Sequence, residues 1–159
     1  MLEKYKNLPL RNGVGIILLN KENKVFVGRR IDNPAGFWQM PQGGIDENEK
    51  IFDAAKRELR EETGITKIIL IKELNYWLTY ELPDNLLGKI WKGRYRGQKQ
   101  KWFIMKFAGE TKDINIRTKH PEFFDWKWIE PSKLPDIAVK FKVNIYRKLV
   151  EEIASLKQG

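Results

Sequence analysis

The sequence predicts an α+β fold in which a mixed β-sheet packs against helices, and three observations support this. Short β-branched or aromatic runs recur along the chain, each bounded by turn-forming residues. Only two stretches place apolar residues at helical spacing. The elements follow the order strands, helix, strands, helix, which differs from a regular βαβ series. The 159 residues contain no repeat and no low-complexity linker, so we expect a single domain over residues 1–159.

The first half of the chain predicts a hairpin followed by the stronger of the two helices. Residues 14–19 and 24–28 are apolar runs that flank a polar turn at residues 20–23, as in a β-hairpin. The helix is expected to begin near Asp46 and Asn48, whose side chains can cap its first turn. It is expected to end at Gly64, because glycine is favoured just after the last helical turn.

The second half predicts four strands and a C-terminal helix. The strands are runs rich in β-branched and aromatic residues at 68–71, 76–82, 102–107 and 124–129. Apolar residues at helical spacing predict the helix over residues 137–156. Five tryptophans lie in apolar strand contexts and are predicted to be core residues: Trp38, Trp77, Trp102, Trp126 and Trp128.

The composition narrows the classes of function. The chain has no cysteine, which excludes disulfides, zinc–thiolate sites and cysteine nucleophiles. No segment approaches the roughly 18 apolar residues of a membrane span, and the N-terminus does not resemble a signal peptide. We therefore expect a cytoplasmic protein with no membrane partner. We also expect it to be a monomer. The formal net charge of +9 favours a polyanionic partner such as a nucleotide or RNA, although such a charge can also serve solubility alone.

Three glutamates in the second half of the first predicted helix point to a metal site. Glu58, Glu61 and Glu62 occupy positions i, i+3 and i+4, which share one helix face. Ionised carboxylates packed there repel one another, and a hard divalent cation such as Mg²⁺ or Mn²⁺ removes that conflict. Because Mg²⁺ commonly binds few carboxylates together with substrate phosphates, the cluster favours phosphate chemistry. The alternative is an ordinary solvated acidic helix face.

The spacing around these glutamates adds a more specific signal. Residues 43–65 read GGIDENEKIFDAAKRELREETGI. The positions that define the spacing are Gly43, Glu49, Arg57, Glu58, Leu59, Glu61, Glu62, Gly64 and Ile65. These nine positions over 23 residues match the Nudix box, and the chain resembles the Nudix hydrolase family. The resemblance implies an α/β/α sandwich with a mixed β-sheet. It also implies divalent metal binding by the three glutamates and Gly43, and pairing of Arg57 with box acids such as Glu49.

Further segments resemble one branch of that family, which holds the bacterial RNA pyrophosphohydrolases and the asymmetric dinucleoside tetraphosphate hydrolases. These segments are residues 10–15, 28–30, 38–44, 91–98, 100–103 and 121–126. The resemblance implies removal of pyrophosphate from the 5′-triphosphate end of RNA, which leaves a 5′-monophosphate RNA prone to degradation. It implies hydrolysis of diadenosine tetraphosphate as the alternative. Glu122 falls where this branch places a further metal-binding glutamate.

The same resemblance implies a set of substrate-binding residues: Arg11, Arg30, Gln42, Arg94, Tyr95, Phe141 and Lys142. Within residues 89–101, basic and aromatic side chains are interleaved without an acid, which suits phosphate binding and base stacking. A solvated basic loop is the alternative there, and a core contact is the alternative for Phe141. Residues 30–38 form a longer loop than in some RNA-cleaving members and resemble the version found in the dinucleotide-cleaving enzymes.

The expected mechanism is metal-assisted attack of water on phosphorus, without a covalent intermediate. His120, the only histidine, lies in a polar segment and is predicted to be exposed and non-catalytic. The base is therefore expected to be a carboxylate, either Glu58 or Glu122. Other hypotheses are a pyrophosphatase for free nucleoside triphosphates, an inactive Nudix-fold module that binds RNA or nucleotides, and a basic RNA-binding protein whose acidic helix is structural. DNA is not an expected partner.

Overall fold

The computed structural model describes residues 3–32 and 36–156, so residues 33–35 of the predicted loop 30–38 lie outside the described residues. The strands are β1 (Leu10–Leu19), β2 (Val25–Arg30), β3 (Trp38–Gln39), β4 (Gln42–Gly44), β5 (Ile68–Glu81), β6 (Gly97–Phe107) and β7 (Phe123–Ile129). The α-helices are α1 (Ile51–Thr63), α2 (Leu134–Ile137) and α3 (Val143–Leu156).

The strands form one mixed sheet, as predicted. Its main path runs β3–β2–β1–β6–β5, with β4 paired to β1 and β7 paired to β2. β1 and β6 are parallel along ten residue pairs, whereas the other neighbours are antiparallel. The predicted hairpin is confirmed, since β1 and β2 pair at Leu19 and Val25. Its turn is closed by the Asn20 side chain, which accepts hydrogen bonds from the N–H groups of Glu22 and Lys24 at 3.0 and 2.9 Å.

Helices cover both faces of the sheet and create two apolar cores. Alternate residues of β1 point to opposite faces, so Ile16 and Leu18 join the core under α1, whereas Ile17 and Leu19 join the core under α3. α1 contributes Ala54, Ala55 and Leu59 to the first core, and α3 contributes Ile145, Tyr146, Leu149 and Ile153 to the second. This is the α/β/α sandwich that the resemblance implied.

The two ends of α1 differ in how well the sequence predicted them. Gly64 ends the helix as predicted, with a left-handed φ of 73° and its N–H bonded to a carbonyl of the last turn at 2.8 Å. The expected capping by Asp46 and Asn48 is wrong. Residues 46–49 close a turn of their own, and the helix begins only at Ile51.

Two other predicted boundaries are wrong. The strands expected at 68–71 and 76–82 form the single strand β5, because irregularities in its pairing with β6 absorb the intervening residues. The C-terminal helix expected from residue 137 is interrupted, since Ala138 is extended with ψ of 149°. As a result, α3 starts only at Val143.

The tryptophans divide between core and surface. Trp102 is 1% exposed and lies in the core under α3, as predicted. The prediction is wrong for Trp77, which is 36% exposed on β5, with Lys99 and Lys101 over its ring. Within the described ranges β5 pairs with β6 alone, so side chains near this edge are less covered. His120 is exposed, as predicted. In the described part of the chain, no helix has both the length and the apolar character needed to cross a membrane.

Candidate active site

Glu62 is the most deeply buried acid of the site. It lies in the last turn of α1 and is 2% exposed, and its Oε2 atom has no hydrogen-bond partner among the described residues. Burial raises the pKa of Glu62 well above its usual value, and the charges of Glu58 and Glu122 raise it further. A buried oxygen without a partner is costly, so this carboxylate is suited to a positively charged ligand.

Glu58 lies against the backbone of β4. A Cβ atom on Gly43 would lie 2.0 Å from Glu58 Cδ, so a side chain at position 43 would displace the carboxylate. Burial raises the pKa of Glu58, and the hydrogen bond from Arg57 opposes that shift without cancelling it. The first glycine of the motif and its first helical glutamate are therefore in direct contact.

Arg57 organises the acidic face of α1. Its guanidinium binds both oxygens of Glu49 at 2.8 and 3.0 Å, the paired geometry that favours arginine over lysine. It also donates to Glu58 Oε1 at 2.8 Å, to Glu61 Oε2 at 3.1 Å and to the Gly44 carbonyl at 2.9 Å. The bonds to Glu49 and then Glu58 raise the pKa of Arg57. The bonds to Glu58 and Glu61 fix the orientation of two of the three clustered glutamates. The pair with Glu49 that the resemblance implied is present.

Glu61 and Glu122 lie at the rim of the site. Their side chains are 54% and 44% exposed, and Glu122 Oε2 is 3.6 Å from a terminal nitrogen of Arg30. Within the described ranges, no three acidic side chains are close enough to form a ready-made metal site. Arg57 and Arg30 instead hold the outer carboxylates. The donor chemistry nevertheless fits a hard divalent cation, because the charges of Glu58 and Glu122 act on Glu62, whose buried Oε2 has no hydrogen-bond partner among the described residues.

Arg11 connects this acidic site to the loop that precedes β6. Its guanidinium lies 5.3 Å from the centre of the Trp91 ring, and Trp91 packs edge-on against Tyr95 at 6.1 Å. A Cβ atom on Gly44 would lie 2.2 Å from a terminal nitrogen of Arg11, so the arginine also packs against β4. The structure thus brings Arg11 and Tyr95 to one side of the site. Arg94 is exposed, and its backbone N–H bonds to the Trp91 carbonyl at 3.2 Å.

Arg30 and Lys142 place two cations on the other side. Arg30 binds both oxygens of Asp32 at 2.7 Å, which raises the pKa of Arg30. Lys142 is only 8% exposed, and burial lowers its pKa to about 7, with a further contribution from the charge of Arg30. The cavity between these cations measures about 10 Å³, which is room for about one water molecule. A base would therefore have to displace surrounding side chains to reach both cations.

Phe141 stands next to Lys142 and is half-buried. Its ring lies 5.4 Å from the Tyr80 ring, and Lys142 Nζ lies over both rings at 5.4 and 5.8 Å. Lys142 Nζ is also 3.4 Å from Gln39 Oε1. Phe141 therefore makes the core contact that was its alternative interpretation, while part of the ring stays accessible.

A row of buried polar side chains was missed by sequence reasoning. The Tyr80 hydroxyl donates to Gln98 Oε1 at 3.1 Å, and Gln100 Nε2 donates to Gln98 Oε1 at 2.9 Å and to Gln42 Oε1 at 3.1 Å. Trp102 Nε1 donates to Gln100 Oε1 at 3.2 Å. Because an indole N–H can only donate, Trp102 fixes the direction of every bond in the row. The Gln42 oxygen consequently faces Gln100, and its NH₂ group is turned away from that residue.

The sequence did carry a signal for this row. Gln98, Gln100 and Trp102 are alternate residues of β6, so their side chains lie on the same face of the strand. Both glutamines are buried. Buried amides in an apolar strand need partners, so such a pattern indicates a polar network or a ligand. Burial raises the pKa of Tyr80 to about 12, and a hydrogen bond with the Gln42 side chain and then the charges of Arg11 and Arg30 oppose that shift. Tyr80 therefore lies within electrostatic reach of both arginines.

Comparison with known proteins agrees with this geometry. A family model described as the NUDIX domain matches residues 9–152, which is most of the chain. The chain belongs to the NUDIX family. Hydrolases of this family generally use divalent metal cations, which agrees with the carboxylate site on α1.

Relatives within the family match over nearly their whole length. The chain is 56% identical over 156 residues to the RNA pyrophosphohydrolase of Pelagibacter ubique, covering 98% of this chain and 99% of that protein. It is 49% identical over 160 residues to the RNA pyrophosphohydrolase of Novosphingobium aromaticivorans, covering 98% and 99%. Because both chains are covered end to end, the similarity is not confined to the Nudix box.

Solved structures show the same fold at low sequence identity. The E. coli dihydroneopterin triphosphate pyrophosphohydrolase matches with a TM-score of 0.70 and 20% identity, covering 91% of this chain and 99% of that one. A binary complex of the C. elegans Ap4A hydrolase matches with a TM-score of 0.66 and 23% identity, covering 92% and 99%. These likenesses confirm the predicted NUDIX architecture.

Proposed function

We propose that this chain is a metal-dependent RNA pyrophosphohydrolase, which removes pyrophosphate from the 5′-triphosphate end of RNA. The observation that carries the proposal is the buried, unpaired oxygen of Glu62 beside Glu58 and Glu122, in a chain that matches RNA pyrophosphohydrolases end to end. The product would be a 5′-monophosphate RNA, which is more prone to degradation. A substrate of this kind also favours a cytoplasmic location.

The cation site in this proposal consists of carboxylates and one backbone carbonyl. Its ligands would be Glu58, Glu61, Glu62, Glu122 and the carbonyl group of Gly43. A bound Mg²⁺ or Mn²⁺ supplies neutralisation of the polyphosphate charge and a water of lowered pKa. The unpaired Oε2 of Glu62 supports this assignment, because a cation would supply a partner for that oxygen and would relieve its repulsion from the neighbouring acids.

The proton acceptor is a carboxylate in this proposal, and Glu58 is better supported than Glu122. Arg57 holds Glu58 Oε1 at 2.8 Å, and the backbone of Gly43 limits where the carboxylate can move. Its pKa is raised by burial, which favours proton acceptance at neutral pH. Glu122 is 44% exposed, and among the described residues its side chain forms an ion pair with Arg30 alone, so its orientation is less restricted.

The substrate would lie between the two cationic sides of the site. Arg11, Arg30 and Lys142 would bind phosphates, and the NH₂ group of Gln42 would donate to a phosphate oxygen. Tyr95 and Phe141 would stack on bases. Arg94 would contact only a part of the RNA that reaches the exposed loop.

Pyrophosphate release tests this function directly. The purified protein is incubated with Mg²⁺ and RNA carrying a labelled 5′-triphosphate, and products are separated with and without chelator. We expect pyrophosphate or phosphate together with 5′-monophosphate RNA, and no turnover in chelator. Binding of the RNA without turnover would instead indicate an inactive module, and binding that responds to salt but not to Mg²⁺ would indicate a plain RNA-binding protein. We also propose that the protein is a monomer, which light scattering on the same sample tests.

A further inference from the structure

A row of alternating cationic and aromatic side chains crosses β3, β2 and β7. Arg29, on the central strand, has its guanidinium 5.2 Å from the Phe124 ring centre and 5.9 Å from the Trp38 ring centre. Lys127 Nζ lies 4.2 Å from the same Trp38 ring. We refer to Phe124, Arg29, Trp38 and Lys127 as the β2 row. Its contacts are of the cation–π type, which holds each cation over an aromatic face.

Arg29 differs from the other arginines near the site in its partners. Arg57 and Arg30 each bind a carboxylate with two bonds. The Nε atom of Arg29 is buried and has no hydrogen-bond partner among the described residues. Asp125 is opposite Arg29 in the strand register, but its Oδ1 accepts a bond from the Trp126 N–H at 2.8 Å. Within the described ranges the guanidinium of Arg29 is thus held by aromatic rings, and no carboxylate forms an ion pair with it.

Phe124 makes the row a surface that a base can reach. It is 52% exposed, one of the most exposed large apolar side chains among the described residues. Arg29 lies over its ring, and the exposed half of the side chain leaves space for a planar group. Aromatic rings next to lysine and arginine are what single-stranded nucleic acids bind, because the rings stack on bases and the cations pair with phosphates.

The β2 row begins next to the active site. Phe124 follows Glu122 by two residues, which along a strand is about 7 Å. The Ile31 N–H donates to the Glu122 carbonyl at 2.9 Å, so the segments 29–31 and 122–124 are joined where the site ends. Arg30, the direct neighbour of Arg29, reaches Glu122 at 3.6 Å. Phe124 is therefore close along the chain to Glu122, at the rim of the acidic site.

We propose that the β2 row binds the RNA chain downstream of the nucleotide whose triphosphate is cleaved. This inference rests on the proposed function. A downstream base stacks on Phe124, and its phosphate pairs with Arg29 or Lys127. The row then adds affinity for RNA over short substrates, because a dinucleoside polyphosphate has no further nucleotides to place there.

The test compares substrates of different length. Values of kcat and KM are measured with Mg²⁺ for two 5′-triphosphorylated RNAs, of two and of twelve nucleotides with the same 5′ sequence, and for diadenosine tetraphosphate. We expect Phe124→Ala to raise KM for the longer RNA about tenfold, the order expected for loss of one base–aromatic stack. The values for the two short substrates and kcat should stay close to wild type. Phe124→Trp should retain the preference for the longer RNA.

Trp77→Ala is the matched control, since Trp77 is also exposed and flanked by two lysines, but on β5. It should leave the ratio of the two RNAs unchanged. An unchanged ratio in Phe124→Ala, or an equal loss in Trp77→Ala, would overturn the assignment of the β2 row. Wild-type turnover of either RNA shows that such a failure concerns the β2 row and not the proposed function. If the wild type turns over neither RNA, the proposed function and the assignment of the β2 row are both wrong.

Discussion

Gly43 and Glu58 fit together so closely that position 43 has no room for a side chain, since a Cβ atom there would lie 2.0 Å from Glu58 Cδ. We expect Gly43→Ala to lower kcat by on the order of 10²-fold, the loss that a displacement of about 1 Å can cause at a catalytic group. Gly64→Ala is the comparison, because Gly64 has φ of 73° at the end of α1. It should cost about 1 kcal/mol of stability and leave kcat unchanged. Steady-state kinetics and thermal melting measure both variants, and normal kcat in Gly43→Ala would contradict the proposed role of Glu58.

Arg57→Lys tests whether the guanidinium fork orients the carboxylates. Lysine keeps the charge but cannot reproduce the two parallel bonds to Glu49 while also holding Glu58 and Glu61. We expect kcat to fall by about 10²-fold with a smaller change in KM, because carboxylate geometry is disturbed while substrate cations remain. The same substitution at exposed Arg60, one turn further along α1, should have no effect. Equal kinetics of the two variants would show that charge alone suffices at position 57.

Glu62→Gln and Glu61→Gln should both abolish turnover while leaving the fold intact, but their stabilities should differ. The pKa of Glu62 is raised in the folded state, so the folded protein binds more protons than the unfolded chain above pH 4.5, and stability falls as pH rises towards the folded pKa. In metal-free buffer at neutral pH, Glu62→Gln should therefore be more stable than wild type, by on the order of 1–3 kcal/mol. Glu61 is 54% exposed and its substitution should give no such gain. Denaturant unfolding measures the difference, and near-wild-type turnover in both variants would remove the metal assignment.

Lys142 should make RNA binding depend on pH near neutrality. Its pKa is lowered to about 7, so its positive charge is lost as pH rises through 7. We expect KM for triphosphorylated RNA to rise between pH 6.5 and about 8.5 in the wild type, and to be flatter in Lys142→Gln. Stability should change in the opposite sense: the unfolded lysine keeps its proton up to its usual pKa of about 10.4, so stability rises with pH above 7. Identical KM profiles of the two proteins would contradict a phosphate contact by Lys142.

Phe141→Ala distinguishes base stacking from core packing. Phe141 is half-buried against Tyr80, so some loss of stability is expected whichever role dominates. We expect KM for RNA to rise about tenfold, with kcat nearly unchanged, since a stacked base contributes about 1–3 kcal/mol. Phe141→Leu retains apolar contact without the ring, and it should restore most of the melting temperature but not KM. A large fall in melting temperature with unchanged kinetics would support the core contact alone.

The parts of the site that lie within one element could be predicted from sequence. The shared face of Glu58, Glu61 and Glu62 follows from helical spacing alone, and Gly64 ends α1 where glycine chemistry places it. The start of α1 could not be predicted, because the turn at residues 46–49 competes with capping.

Contacts between residues of different elements could not be predicted from local sequence patterns. The position of Glu122 beside Glu62 depends on the pairing of β7 with β2, and the link of Tyr80 to Gln98 depends on the irregular register of β5 against β6. The register of such strand pairs depends on packing across the whole sheet, so a short sequence pattern does not predict it. Resemblance to a family placed Glu122 at the site, whereas residue spacing alone did not.

The preference of the chain for an RNA end over a small polyphosphate is measured as turnover with Mg²⁺ on 5′-triphosphorylated RNA and on diadenosine tetraphosphate, side by side under matched conditions. An RNA pyrophosphohydrolase should give a much higher kcat/KM on the RNA, with pyrophosphate or phosphate released and 5′-monophosphate RNA formed. A wide margin in favour of the dinucleotide would contradict the proposed RNA pyrophosphohydrolase function, because the cationic residues around Glu62 would then bind a small polyphosphate and not an RNA end.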